Sequence, residues 1–270
     1  PDMDGDGIPD LIDGDRDGDG IPNNEDDTPD GPKPFGPGGA LENEPGSGDI
    51  NPLINRLKDH FRDAEDAKSP LVLDLDGDGV ETIGLDAGIH FDHDGNRFAE
   101  MTGWAGADDG LLVLDRNGNG TIDDGSELFG DKTLLSDGTY AANGFAALAE
   151  LDTNQDSIIN DLDAAFSQLR VWKDSNSDGV VSEGELLTLA EAGVAGIGVN
   201  YTAQNVTDSQ GNAHLQAGQY IDSDGNTHAM NDVWFVNDTA RTIDLDVLEI
   251  DETIAALPDI QGFGSVHSLH

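Results

Sequence analysis

The sequence predicts an α+β fold in which small strands and short helices surround acidic, metal-binding loops. Three observations predict it. Carboxylate and amide side chains recur at fixed positions of twelve-residue loops. Short branched apolar runs lead directly into several of these loops, as strands do. Segments with apolar residues near helical spacing follow others.

The loop from Asp174 to Glu185, D-S-N-S-D-G-V-V-S-E-G-E, sets the pattern. Asp174, Asn176, Asp178, Ser182 and Glu185 stand at positions 1, 3, 5, 9 and 12, and the Val180 carbonyl is available at position 7. Gly179 occupies position 6, where the backbone must turn sharply. A hard divalent cation such as Ca²⁺ takes about six to eight oxygens, and this spacing wraps them round one point. The loop therefore reads as an EF-hand-like calcium site.

The bulk composition agrees with bound cations. The chain carries 56 acidic and 12 basic residues in 270, a formal charge of −44. A compact fold with that balance repels itself unless counter-ions are held, so calcium is expected to drive folding. Such acidity excludes nucleic acid as a partner, and no apolar run is long enough to insert into a membrane. No cysteine is present, which excludes disulfides and thiolate metal sites and is compatible with a secreted location. The chain begins on Pro1 and ends on S-V-H-S-L-H, and it reads as a piece of a larger polypeptide.

Residues 1–30 form a tandem acidic repeat. Asp2, Asp4, Asp6, Asp10 and Asp13 of the first copy recur as Asp15, Asp17, Asp19, Asn23 and Asp26. The Ile-Pro pair after each glycine favours an extended exit rather than a helix. The segment resembles thrombospondin type-3 calcium repeats. Residues 31–51 are a Pro/Gly-rich linker, and residues 52–68 are expected to form a short amphipathic helix.

A folded domain is expected over residues 69–243. Leu71–Leu75 reads as a strand entering Asp74, Asp76 and Asp78, with Asp86 as the late closing acid. A second triplet, Asp92, Asp94 and Asn96, follows, with Glu100 as a further candidate, although a Gly-containing hairpin turn explains it equally well. Leu111–Leu114 reads as another strand, entering Asp115, Asn117, Asn119, Thr121 (through its carbonyl) and Asp123. Glu127 closes that loop if a short helical turn carries it back.

Asn143–Leu151 is expected to be helical and to enter Asp152, Asn154, Asp156, Ile158 (carbonyl), Asn160 and Asp163. Ser157 replaces the turn glycine there, and Asp163 replaces the usual glutamate, which predicts a weaker site. Residues 161–170 and the segment after Glu185 are expected to be exit helices, the second ending at Gly193. This pair of loop–helix units resembles a dockerin, which implies a protein partner held through the exit helices.

After Gly193 the pattern turns to β, with the S-D-G-N turn of a hairpin. Asp222 and Asp224 read as turn residues rather than ligands. Residues 244–270 read as the opening of a following region. His90 and His93 read as a solvated surface pair, and Trp104, Trp172 and Trp234 as core. Neither H-E-x-x-H nor G-x-S-x-G occurs.

From Pro70 to about Val236 the chain resembles the self-processing module of iron-regulated RTX proteins. The resemblance rests on S-P-L-V-L-D-L-D-G-D-G-V-E-T, T-G-W-A-G-A-D-D-G-L-L-V-L-D-R-N-G-N-G, G-S-E-L-F-G-D, G-F-A-A-L-A-E-L-D and L-R-V-W-K-D. It implies a secreted or cell-surface bacterial toxin or adhesin, exported by type I secretion and folded by external calcium. It also implies calcium-triggered cleavage of an Asp-Pro bond, the Asp side chain attacking its own carbonyl to give a cyclic anhydride. The freed aspartyl group can then be joined to a lysine amine. Here the matching junction is Ser69-Pro70, and none of the eleven prolines follows an Asp within the chain. A serine hydroxyl cannot form that anhydride. The expectation is therefore a calcium-binding structural module, with autocleavage and dockerin-like docking as alternatives.

Overall fold

The computed structural model describes residues 69–246 together with 264 and 265. The repeats expected in residues 1–30, the linker expected in 31–51, the helix expected in 52–68 and most of 244–270 lie outside the described residues. In chain order the strands are β1 (Leu71–Leu73), β2 (Thr82–Ile83), β3 (Ile89–Phe91), β4 (Phe98–Thr102), β5 (Trp104–Ala105) and β6 (Gly110–Val113). Helix α1 (Gly144–Ala149) comes next, then β7 (Ile158–Ile159), β8 (Arg170–Trp172) and β9 (Leu186–Thr188). The chain continues through β10 (Val194–Gly198), β11 (Thr202–Thr207), β12 (Ala213–Asp222), β13 (Thr227–Trp234) and β14 (Asn237–Asp244).

A nine-stranded antiparallel sheet in the order β7-β10-β12-β13-β1-β6-β8-β9, with β11 on β12, forms the body. A three-stranded sheet (β14-β4-β3) and the β2-β5 pair complete it. β1 is central and buried on both faces, which explains its uninterrupted Leu-Val-Leu. Leu71 and Leu73 join Phe129, Phe145, Leu148 and Val171 in one core. Val72 points the other way, into a second core with Trp104, Leu111, Trp172 and Phe235. Each fully buried aliphatic or aromatic side chain contributes about 1.5–3 kcal/mol.

The expected α+β fold is wrong: this is a mostly β protein. Among the described residues α1 is the single α-helix, capped by the Asn143 side chain, which accepts the Ala146 N–H. The expected exit helices do not form. Residues 166–168 make only one 3-10 turn, and Leu162, within the expected helix 161–170, is 71% exposed. The segment after Glu185 is β9, paired with β8 from Trp172↔Leu186 to Arg170↔Thr188.

The physical reason lies in length and context. Isolated helices this short are marginal, whereas β8 lies beside β6, whose edge offers backbone partners at once. Asp163 also folds back on its own loop, competing with helix hydrogen bonds. Without exit helices, the dockerin-like pairing has no structural basis among the described residues. The hairpin of β12 and β13 closes where the S-D-G-N turn indicates, with Ile221↔Thr227 as its last pair.

Candidate functional site

Five loops follow one backbone rule. The first-position carboxylates are Asp74, Asp92, Asp115, Asp152 and Asp174, and each accepts N–H groups from its own loop. In every case the N–H of position 6 is among them: Gly79, Arg97, Gly120, Ser157 and Gly179. Positions 4 and 6 are left-handed in all five, as Gly77/Gly79, Gly95/Arg97, Gly118/Gly120, Gln155/Ser157 and Ser177/Gly179. That conformation is easy for glycine and costs other residues about 1–2 kcal/mol.

The position-3 side chain then accepts the N–H of position 5. Asp76 takes Asp78, Asp94 takes Asn96, Asn117 takes Asn119, Asn154 takes Asp156 and Asn176 takes Asp178. In three of the loops the polar side chains of these positions also touch one another or a later acid. Asn176 and Asp178 meet at 2.9 Å, and Asn154 and Asp156 at 3.0 Å. Asn117 and Asn119 both reach Asp123, at 3.0 and 2.6 Å. Oxygen-rich and free of sulfur and imidazole, this donor set fits a hard divalent cation.

In each loop a further acid accepts backbone N–H groups, and its origin differs. Glu185 accepts the Ser182 N–H at 2.9 Å. Asp163 accepts the N–H groups of Asn160 and Thr153, positions 9 and 2 of its loop. Glu127, one residue late in the sequence, is carried back by the 3-10 turn Gly125–Glu127. Its oxygens take the N–H of Asp123 and of Arg116, again positions 9 and 2. Glu100 takes the position-2 N–H of the Asp92 loop, from His93.

The first loop departs from the sequence expectation. Asp86 stands exposed on the 3-10 turn Leu85–Ala87. Asp109 takes the position-2 N–H, from Leu75, and the Glu81 N–H at 2.6 Å. Its position follows from sheet register: β1 and β6 are antiparallel with Leu73↔Gly110, so Asp109 falls beside Asp74. Two overlapping acid groups result, Asp74–Asp76–Asp78 and Asp76–Glu81–Asp109, each with carboxylate oxygens within 4.8 Å of one another.

Electrostatics matches sites that lack positive charge. Burial, helped by neighbouring acids, pushes Asp109 and Glu100 up to about 7. Glu81 rises to about 7 through desolvation and the adjoining Asp78. A bound cation favours the ionised form of each.

The core supports the Asp174 loop directly. The Trp104 indole N–H donates to Asp174 at 2.9 Å, a contact that no local spacing reveals. Trp104 and Trp172 are fully buried as expected, whereas Trp234 is half-buried. Asp222 accepts from Asp224, Asn226 and His228 around the β12–β13 turn, and those bonds, that from His228 foremost, hold it well below the usual carboxylate range. His93 is not a surface residue: it is fully buried, its Nε2 2.9 Å from the Thr102 hydroxyl.

The Ser69-Pro70 junction lies at the opposite end of β1 from Asp74 and is clamped from several sides. Asp131 accepts the Ser69 N–H at 3.2 Å, and the Pro70 carbonyl accepts Val233 N–H at 3.0 Å. The Leu71 N–H donates to the Phe129 carbonyl. Gly130 must be glycine, because a Cβ there would stand 1.7 Å from the Ser69 oxygen. A small pocket adjoins the junction, walled by His93, Gly125, Gly130 and Lys132. His93 belongs to the Asp92 loop, and Gly125 lies in the turn that delivers Glu127, so two candidate cation loops shape this pocket.

Comparison with known proteins gives the family. Residues 71–236 match the SPM domain. The chain is 46% identical over 202 residues to the iron-regulated protein FrpA of Neisseria meningitidis serogroup C. That match covers 74% of this chain and 18% of the relative, so the chain spans a small part of the longer protein. With the matched segment running from β1 through all five loops to the end of the main sheet, the chain belongs to the SPM domain family.

Proposed function

We propose that this chain is a calcium-folded structural module of a large RTX-type protein that is secreted or displayed at the cell surface. The observation that carries the reading is the shared loop rule: acids and amides at positions 1, 3 and 5, with a further acid hydrogen-bonded back to the loop. The formal charge of −44 gives cations a further role, because neutralising it relieves repulsion in the compact state. Kinship with FrpA supports a place within a longer polypeptide, which is then the module's first partner. Export through a type I system accords with a chain that stays unfolded until it meets external calcium.

A calcium titration followed by far-ultraviolet circular dichroism tests this reading. Strand signal is expected to develop with added calcium and to be lost on chelation. The same spectrum with and without calcium would remove the proposal. Glu185→Gln is expected to shift the titration to higher calcium.

One observation favours a second reading, latent self-processing at Ser69-Pro70. The junction is enclosed and held by hydrogen bonds on both sides of the bond. Serine lacks the carboxylate that would open the bond, so Ser69→Asp is expected to switch cleavage on in the calcium-loaded chain. Fragments of residues 1–69 and 70–270 would be the readout.

A further inference from the structure

Asp232 is the most deeply buried acid beside the junction. It sits on β13 in register with Leu71, the first residue of β1. Its side chain has no exposure to solvent. One oxygen, Oδ2, accepts the Gly144 N–H at 2.5 Å. The other, Oδ1, has no hydrogen-bond partner, and neither has the buried Ser69 hydroxyl. The hydroxyl lies close enough to favour the charged carboxylate, yet off the geometry of a well-formed bond. Burying a polar oxygen unpaired is costly, so two such atoms side by side call for an explanation.

We propose that Asp232 is the proton donor of the Ser69-Pro70 junction, supplying the Pro70 nitrogen when a carboxylate at position 69 opens the bond. This rests on the latent self-processing reading. The leaving group is a tertiary amide nitrogen with no proton of its own, and its expulsion is easier once protonated. Asp131 serves as an acceptor, since it takes the Ser69 N–H. Asp232 is the acid whose surroundings keep it protonated, because burial pushes it up to about 7, with the Asp131 charge adding to the rise.

In the Ser69→Asp chain the step balances as follows. A side-chain oxygen of the new aspartate bonds to its own backbone carbonyl carbon, forming a five-membered anhydride. The carbon–nitrogen bond to Pro70 breaks, and the nitrogen takes the Asp232 proton to leave as a neutral secondary amine. Asp232 is left as a carboxylate. Water then opens the anhydride, giving residue 69 its α- and β-carboxyl groups.

The test uses the full chain at saturating calcium, following the two fragments by mass spectrometry. Ser69→Asp is expected to cleave, at a rate that falls as pH rises through about 7, where Asp232 loses its proton. Adding Asp232→Asn is expected to slow cleavage by about 100-fold or more and to abolish that alkaline limb. Equal rates with and without Asp232→Asn would overturn the donor role and leave the processing reading standing. A Ser69→Asp chain that stays intact would overturn both. If Asp232→Asn does not fold, the Ser69→Asp profile decides alone: a rate flat from slightly acid to alkaline pH would overturn the donor role.

Discussion

The loops that begin at Asp174 and Asp152 share their internal hydrogen bonds and differ in what stands behind them. The Asp174 loop joins β8 to β9 as the connection of a hairpin, and its first carboxylate is bonded to the buried Trp104. The Asp152 loop runs from α1 into β7, a two-residue edge strand, with Asn154, Gln155 and Asp156 exposed. One has glycine at the left-handed sixth position and the other has Ser157, at φ 70°. Local side-chain bonding alone thus shapes the loop, whereas anchoring to sheet and core sets how rigidly the shape is held. Preorganised ligands bind more tightly because less order is lost on binding.

Six substitutions break or sharpen that contrast. The largest effect is expected from Gly179→Ala. Its Cβ would stand 2.7 Å from the His90 carbonyl oxygen, at a φ of +72°. A loss of about 3 kcal/mol is expected in calcium-saturated chemical denaturation, whereas Ser157→Ala, already strained at the matching position, should change little. Trp104→Phe keeps the aromatic packing and removes the bond to Asp174. It should cost about 2 kcal/mol and weaken calcium binding at the Asp174 loop, leaving the Asp152 loop unaffected in site-resolved NMR titration.

Glu185→Gln removes a closing charge while keeping its size. A loss of about tenfold in affinity, or about 1.4 kcal/mol, is expected at that site by calorimetric titration. Asp163→Asn should show a smaller loss, since its loop is held less rigidly beforehand. One effect has the opposite sign. Ser157→Gly relieves a left-handed serine and should stabilise the loaded chain by about 1 kcal/mol, read as a higher thermal midpoint.

What the sequence discloses divides along the same line. Loop shape at short spacing, as at Asp174, Asn176 and Asp178, is legible because the loop rule is local. So are the core of Leu71–Leu73 and the β12–β13 turn. The place of Asp109 beside Asp74 is not legible, since it depends on the β1–β6 register that sets Leu73 beside Gly110. Nor is Trp104, which reaches Asp174 across 70 residues. The exit helices fail for a related reason: a helical pattern after a loop loses to the strand partner that β8 and β9 offer each other. Burial of His93 likewise comes from packing against Trp104 and Phe235, which lie farther along the chain.

Native mass spectrometry of the full chain, recorded without calcium and then with millimolar calcium, tests the central claim most directly. The account predicts several bound calcium ions and a collapse of the charge-state distribution from broad and highly charged to narrow. It further predicts one fewer ion in Glu185→Gln at limiting calcium. A distribution that is already narrow without calcium, and that gains no ions when calcium is added, would contradict it.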